Sequence, residues 1–202
     1  MQKFAIDPLL RRFNEVKSQE GRIRTKPFLD VCKHLLPLID NFGSSMSCIK
    51  SDVACNIRKL ESKYFSNTSA YSDLYSMTHE EIKAKIARNA SSCTTALVWL
   101  TRAMDFVVQL FRNLLEHPDW SMPKACTDSY KTTLKKWHGW LGISTFNVIM
   151  KIAPDKEKFM GSVIGQGNLT SEIEKFCLAF TPLLEENHKF LVSVGVDDIR
   201  AL

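Results

Sequence analysis

Apolar residues recur every three or four positions along most of the chain, and glycine, proline and polar clusters separate these runs. The spacing predicts a short helix that begins at Asp7-Pro8 and a second helix from Thr25 to Gly43, with a kink at Pro37. No segment shows the strict alternation of a half-buried strand. The pattern therefore predicts an all-α protein with about eight helices.

The stretch from Ser92 to His117 differs from the others because apolar residues cover nearly all of its helical faces. Such a helix is typical of the centre of a domain. Arg102 and Asp105 lie within it, and we expect them to have partners or to face a cavity, since an unpaired buried charge is unfavourable.

A long helix is predicted from Pro123 to Ile152, although Gly139 and Gly142 lie in its middle. Each glycine costs about 1 kcal/mol relative to alanine, and a glycine kept in a helix often marks a close approach of another group. A short helix is predicted from Lys156 to Ile164.

Two sequences have the spacing of a capping box, in which a hydroxyl residue precedes a glutamate by three positions. Thr78 with Glu81 predicts the start of a polar surface helix over residues 80–89. Ser171 with Glu174 predicts the start of the last helix.

Composition limits the class of protein. The chain has 202 residues, of which 45% are hydrophobic and 24% charged, so we expect one globular domain over residues 1–202. The net charge of +5 predicts mild attraction to anionic surfaces or, equally, an ordinary basic surface. Because Lys and Arg form no long run, we expect no nucleic-acid partner. The chain shows no signal peptide or spanning segment, which favours a cytoplasmic location.

The motifs of common enzymes are absent from the sequence, including the Walker loop, the nucleophile elbow and the zinc-protease helix. The six cysteines form no CxxC pair, so we expect free thiols, no metal and no cofactor. A nucleophile pair such as Cys55 with His138 is the remaining enzymatic alternative, and buried free cysteine is the commoner case.

A helix that follows the stretch Ser44 to Ser47 and runs to about Phe65 is predicted to carry two adjacent stripes. Asp52, Asn56 and Lys59 share one narrow polar face, and an apolar stripe that includes Ile49 lies directly beside it. On an ordinary surface helix the two faces would be opposite each other. A carboxylate, an amide and an ammonium at the border of an apolar surface suit a ligand with a polar head and a long apolar tail.

Trp99 and the stretch Trp137-His138-Gly139-Trp140 are the other candidate sites. Trp99 is either a core residue or a platform on which a sugar ring stacks, because an indole packs well against sugar C–H groups. His138 is either structural or a hydrogen-bond donor to a pocket. An exposed tryptophan near lysines suits a membrane interface.

These segments resemble the glycolipid transfer protein family along nearly the whole chain. The matching motifs, in order, are Ile49-Lys50-Ser51-Asp52 with Asn56, Ile57 and Lys59; Trp99-Leu100-Thr101-Arg102; Leu134-Lys135-Lys136-Trp137-His138-Gly139-Trp140; and Ala153-Pro154. The sequence around Trp99 and the stretch Asp119-Trp120-Ser121-Met122-Pro123 resemble most closely the corresponding sequences of plant members of the family.

The resemblance implies a two-layer α-helical sandwich that holds one glycosphingolipid and catalyses no reaction. It implies that Asp52, Asn56 and Lys59 bind the sugar head group and the ceramide amide N–H, that Trp99 stacks on the sugar, and that His138 binds the amide carbonyl. It further implies an apolar tunnel for the lipid chains, where Ile49, Phe106 and Phe146 are expected. Trp140 is expected to dock a monomeric, cytoplasmic protein transiently on membranes.

Two alternatives remain besides the enzymatic one. A ceramide-1-phosphate carrier would have the same fold, but those relatives carry a cationic residue where Trp99 stands, which a phosphate requires and a neutral sugar does not. A helical interaction protein that binds no lipid is the second alternative. Cys55 lies between Asp52 and Asn56, and the sequence offers no function for it.

Overall fold

The computed structural model describes residues 3–42, 47–151, 153–165 and 167–200, with side chains except at positions 48, 140, 141, 147, 150, 151 and 164. Its α-helices are α1 (Asp7–Arg12), α2 (Thr25–His34), α3 (Leu36–Asp40), α4 (Ser47–Ser66), α5 (Ser76–Lys83), α6 (Cys93–Glu116), α7 (Met122–Thr133), α8 (Trp140–Lys151), α9 (Lys156–Met160) and α10 (Leu169–Ser193). Short 3-10 helices cover Phe13–Glu15 and Lys135–Trp137. The all-α prediction is confirmed.

One small departure from the all-α pattern is a pair of two-residue strands. β1 (Phe4–Ala5) runs parallel to β2 (Val163–Ile164), with Phe4 opposite Val163. The sequence-based expectation of a helix up to residue 164 is therefore wrong beyond Met160. Strands this short lack a detectable alternation, so sequence patterning could not have found them.

Helix α6 occupies the centre of the fold, as its apolar composition predicts. Helices α4, α7 and α10 make their most extensive contacts with it. Leu97, Leu100, Met104 and Phe111 of α6 are all buried. Among the described helices, none is long and apolar enough to cross a bilayer.

Two predicted helices are each divided in two. The helix expected from Thr25 to Gly43 breaks at Leu35, and Pro37 lies in the first turn of the following α3, where its missing N–H is tolerated. The helix expected over 123–152 breaks after Thr133, and His138 adopts an extended backbone with φ −90° and ψ 140°. Both predictions were wrong about the continuity of the helix.

Gly142, in the first turn of α8, lies against the side chain of His138. A Cβ atom at this position would lie 3.2 Å from both Cβ and Cγ of His138. The glycine therefore gives room for the His138 side chain to fold back against the first turn of α8. This is the close approach that a glycine in a helical pattern indicates. At Gly139 the same expectation is wrong, since nothing lies within 4 Å of an added Cβ.

Neither of the two predicted capping boxes caps the helix it was expected to start. Thr78 lies inside α5, and Glu81 instead accepts hydrogen bonds from the backbone N–H groups of Cys93 and Thr94, at the start of α6. A carboxylate is favourable there because the first N–H groups of a helix lack partners. Helix α10 is capped by Asn168, which accepts from the Ser171 N–H, and not by Ser171.

Candidate functional site

A cavity of about 380 Å³ lies at the contact of α3, α4, α6 and α8. Its lining is mostly apolar, with a few polar groups. The lining residues are Leu38, Ile39, Phe42, Ile49, Asp52, Val53, Cys55, Asn56, Trp99, Ala103, Met104, Phe106, Val107, Leu110, Phe111, Leu134, His138 and Phe146. A pocket of this composition is typical of a site for a small, largely apolar molecule.

Most of the residues singled out from the sequence meet at this cavity. Four of the five candidate head-group residues line it, and so do all three candidate apolar residues. They are Asp52, Asn56, Trp99 and His138, together with Ile49, Phe106 and Phe146. These seven residues come from α4, α6, α8 and the loop before α8, so only the tertiary fold brings them together.

Lys59 and Trp140 are the exceptions. Lys59 lies on α4 but is not among the described residues that line the cavity; its Nζ donates to the backbone oxygen of Ala90 at 3.1 Å. Trp140 is the first residue of α8, and its side chain lies outside the described residues.

The two stripes of α4 explain how the cavity obtains a polar border. Val53 and Ile57 are buried against the core, whereas Asp52 is exposed and Asn56 is half-buried. Residues four positions apart lie on the same face, so Asp52 and Asn56 are neighbours along the helix. Cys55 lies between them in sequence, is exposed and also lines the cavity.

Trp99 and His138 form the facing wall. Their rings stack with centroids 5.3 Å apart and an interplanar angle of 23°. The buried guanidinium of Arg102 lies one turn further along α6, with its carbon 5.0 Å from the Trp99 ring centre. The two rings and this cation form one packed group at the polar end of the cavity.

The electrostatic surroundings of His138 favour its neutral form. Burial lowers the pKa of His138, and the positive charge of Arg102 lowers it further. Its Nδ1 lies 2.9 Å from the hydroxyl oxygen of Tyr130. A neutral imidazole has one donor and one acceptor nitrogen, so His138 can offer one hydrogen-bonding group to the cavity and the other to Tyr130.

Burial also affects Arg102 itself. Its pKa falls to about 10 through burial, and nearby Asp197 and Asp105 act in the opposite direction. The guanidinium stays charged at neutral pH and donates to the backbone oxygens of Asp197 and Ile199. The sequence-based expectation that Arg102 requires partners is confirmed. The residues that neighbour Arg102 in the sequence did not indicate that these partners belong to the C-terminal segment.

Aromatic contacts form the apolar interior. The rings of Phe106 and Phe146 meet edge to face, with centroids 5.8 Å apart. Tyr130 stacks on Phe146, with ring centroids 3.7 Å apart. Sequence reasoning missed several interior residues, namely Leu38, Ile39, Phe42, Leu110 and Phe111. Their helical spacing is identical to that of ordinary core residues, so the sequence holds no signal that separates a cavity wall from a core.

A second cavity, of about 410 Å³ and mostly polar, lies between α6, α10, the end of α7 and the 3-10 helix that follows it. In it His188 contacts two carboxylates, with Nε2 2.6 Å from Asp105 and Nδ1 3.0 Å from Asp197. These contacts raise the pKa of His188, chiefly through the bond to Asp105 and against the effect of burial. Asp105, like Arg102, thus finds the partner that its place in an apolar helix requires.

The chain is similar to proteins that carry lipids. Residues 23–165 match the model of the family described as Glycolipid transfer protein (GLTP). Over 201 residues the chain is 53% identical to "Glycolipid transfer protein 1" of Arabidopsis thaliana, and the alignment covers 100% of both chains. It is 30% identical over 190 residues to "Glycolipid transfer protein 2" of the same plant, covering 92% of this chain and 85% of the relative.

Solved structures show the same fold. The structure described as showing how FAPP2 selects simple glycosphingolipids using the GLTP fold superposes with a TM-score of 0.88 at 22% identity, covering 98% and 99% of the two chains. Human ceramide-1-phosphate transfer protein in complex with 12:0 ceramide-1-phosphate superposes with a TM-score of 0.86 at 18% identity, covering 97% and 99%. The same architecture therefore occurs with two kinds of lipid head group.

Proposed function

The chain belongs to the glycolipid transfer protein family, and we propose that it binds one glycosphingolipid, such as glucosylceramide, and transfers it between membranes. The family consists of lipid transfer proteins and not enzymes, in agreement with the expectation from the sequence. No bond is broken in such a cycle. The work of the protein is to shelter the lipid chains from water and to select the head group.

The observation that carries this proposal is the composition of the apolar cavity of about 380 Å³. Asp52, Asn56, Trp99 and His138 lie along the same cavity as the aromatic residues Phe106 and Phe146. Extraction of a lipid exposes its chains, and each methylene costs about 0.8 kcal/mol in water. A cavity with an apolar interior and a few polar groups at one end matches a lipid with two chains and one polar head.

Head-group selection would come from those polar groups. The Asp52 carboxylate accepts hydrogen bonds from sugar hydroxyls, and the Asn56 amide both donates and accepts. The sugar ring packs against the part of the Trp99 indole that remains accessible, since this residue is half-buried. A lipid without hydroxyls would leave these groups unpaired when it covers them, at a cost of about 1–3 kcal/mol each.

His138 is proposed to bind the ceramide amide. One ring nitrogen, Nδ1, contacts Tyr130, and the other, which has no hydrogen-bond partner among the described residues, is proposed to donate to the amide carbonyl. Lys59 is proposed as a further sugar ligand. When lipid binds, its ammonium would donate to a sugar hydroxyl, either in place of the Ala90 backbone oxygen or in addition to it. Trp140 is proposed as the residue that docks a monomeric protein on the membrane.

A ceramide-1-phosphate carrier is the second candidate, since a protein of that kind shares the fold. A phosphate requires Arg or Lys at hydrogen-bonding distance. The described residues that line the cavity include one charged side chain, the carboxylate of Asp52, and neither Lys nor Arg. A negative lining repels a phosphate, so the charge of the cavity favours a neutral sugar.

A vesicle transfer assay tests the choice. Donor vesicles carry either glucosylceramide or ceramide-1-phosphate, and the rate of arrival in acceptor vesicles is measured for the wild-type protein and for Asp52→Asn. We expect transfer of glucosylceramide and a loss of about tenfold in the variant, because a charged acceptor is replaced by a neutral one. Asp30→Asn, which alters an ion pair with Lys26 on α2, is the matched control.

The result that overturns the proposal is faster transfer of ceramide-1-phosphate than of glucosylceramide. Transfer of neither lipid would favour the helical interaction protein instead. Mass spectrometry of lipid that co-purifies with the protein gives an independent answer about the natural head group.

A further inference from the structure

Tyr130 lies behind the proposed lipid site, where it contacts His138. Its side chain is 2% exposed, and it is not among the described residues that line the cavity. Its hydroxyl oxygen lies 2.9 Å from His138 Nδ1. Tyr130 therefore contacts a residue of the site without being available to the ligand.

The direction of this hydrogen bond decides which nitrogen of His138 carries the proton. If Nδ1 carried it, Nδ1 would donate to the tyrosine oxygen, and the buried hydroxyl proton would need another acceptor. In the described part of the chain the Tyr130 hydroxyl has His138 Nδ1 as its hydrogen-bond partner and no other. Leaving a buried donor unpaired lowers the population of that arrangement by roughly tenfold to a hundredfold.

The opposite arrangement satisfies every group. The tyrosine O–H donates to Nδ1, and the ring proton lies on Nε2. Burial raises the pKa of Tyr130, so the hydroxyl keeps its proton. Burial and Arg102 lower the pKa of His138, so the ring remains neutral and has a free lone pair on Nδ1 to accept it.

Packing holds both rings in this relation. Tyr130 stacks on Phe146 with centroids 3.7 Å apart and an angle of 11°, and His138 stacks on Trp99. Gly142 leaves the space that the His138 side chain occupies, since a Cβ atom there would lie 3.2 Å from it. These contacts keep Nδ1 of His138 facing the Tyr130 hydroxyl, so the tautomer is decided by which of the two groups carries the shared proton.

We propose that Tyr130 is a positioning residue that fixes His138 as the Nε2–H tautomer, so that Nε2–H donates to the amide carbonyl oxygen of the bound lipid. The inference rests on the proposed function for the role of that donor, but the tautomer is a property of the lipid-free protein. A fixed donor recognises an acceptor at this position, as a ceramide amide carbonyl provides, and gives no stabilisation to a ligand group that can only donate.

The test combines Tyr130→Phe with a matched control. Tyr130→Phe keeps the ring and its stack on Phe146 but removes the hydroxyl. Tyr75→Phe is the control, because the Tyr75 hydroxyl also donates a hydrogen bond, 2.9 Å from Asn187 Oδ1, while its ring stacks on Phe190 outside the lipid cavity. Thermal unfolding of both variants checks that they fold.

Nitrogen NMR of protein labelled with ¹⁵N in histidine reads the tautomer directly. His138→Gln identifies the His138 signals by their disappearance. In the lipid-free wild-type protein we expect a protonated Nε2 and an unprotonated Nδ1. In Tyr130→Phe we expect a mixture of tautomers and a glucosylceramide transfer rate lower by about three- to tenfold, the effect of weakening one hydrogen bond. Tyr75→Phe should change neither.

Three results would overturn the inference: a protonated Nδ1 in the wild-type protein, an unchanged tautomer in Tyr130→Phe, or an altered tautomer with unchanged transfer. Failure of the proposed function is distinguishable from these. A wild-type protein that transfers no glycolipid would refute that function, whereas the nitrogen spectrum would still decide the tautomer.

Discussion

The guanidinium carbon of Arg102 lies 3.7 Å from the centre of the Trp137 ring, in direct cation–π contact. Arg102 is fully buried and also lies against Trp99, the proposed sugar platform. Its two terminal nitrogens donate to backbone oxygens of Asp197 and Ile199. One side chain therefore connects the C-terminal segment to the polar end of the proposed lipid cavity.

Replacement of Arg102 by Met should lower the free energy of unfolding by about 2–3 kcal/mol, because two backbone oxygens lose charged donors and one cation–π contact disappears. Urea unfolding measures this change. Arg112→Met is the control, because Arg112 makes one hydrogen bond to the described residues, at the Thr181 hydroxyl. Equal losses in the two variants would contradict a special role for Arg102.

Trp99→Ala should weaken binding of glucosylceramide more than binding of ceramide, which has no sugar ring to stack. The stacking contact is worth about 0.5–1.5 kcal/mol, or roughly three- to tenfold in affinity. A binding titration with both lipids measures the ratio. Trp120→Ala is a suitable control, since Trp120 stacks on His117 and does not line the cavity. An equal loss for both lipids would argue against a sugar platform.

Cys55 gives a way to block the cavity chemically. It is the exposed cysteine among those described, whereas burial raises the pKa of Cys93 and Cys177 to about 11 and of Cys126 to about 12. A bulky maleimide should therefore react with Cys55 in preference to the other described cysteines and abolish glycolipid uptake. Mass spectrometry measures labelling, and a transfer assay measures uptake.

The control for this experiment is Cys55→Ser, which should transfer lipid before and after treatment. Prior loading with glucosylceramide should slow the labelling of the wild-type protein, because Cys55 lines the cavity. Undiminished transfer by the fully labelled wild-type protein would show that lipid does not pass this wall.

His188 should make stability depend on pH. Asp105 and Asp197 face it and raise its pKa, Arg102 lies near both carboxylates, and Arg112, Lys136 and Glu185 line the same cavity. A raised folded-state pKa adds stability that is fully present below the unfolded value of about 6.5 and is lost as the pH rises through the folded-state pKa.

Urea unfolding from pH 5.5 to pH 9 measures this contribution, with His188→Gln as the comparison. The free energy of unfolding of the wild-type protein should exceed that of the variant, and this difference should be largest at low pH and shrink as the pH rises. A difference independent of pH would mean that the ion pairs with Asp105 and Asp197 contribute nothing.

Residue spacing within single helices and short sequence motifs were sufficient to predict much of the candidate site. The polar stripe of Asp52 and Asn56 beside an apolar stripe is visible in the sequence because it depends on residues three and four positions apart. The motifs around Trp99 and His138 identified the family. Local pattern failed where a distant residue was involved: Glu81 has the spacing of a cap for its own helix and instead caps α6.

The sequence by itself determined the helical class, the central helix, the family and the residue types that meet at the cavity, because these follow from periodicity and from short motifs. Only the tertiary structure decided that Lys59 reaches Ala90, that Arg102 holds the C-terminal segment and that Tyr130 meets His138. Hydrogen-bond direction and burial depend on which helices pack together. Such contacts leave no trace in the spacing of residues along the chain.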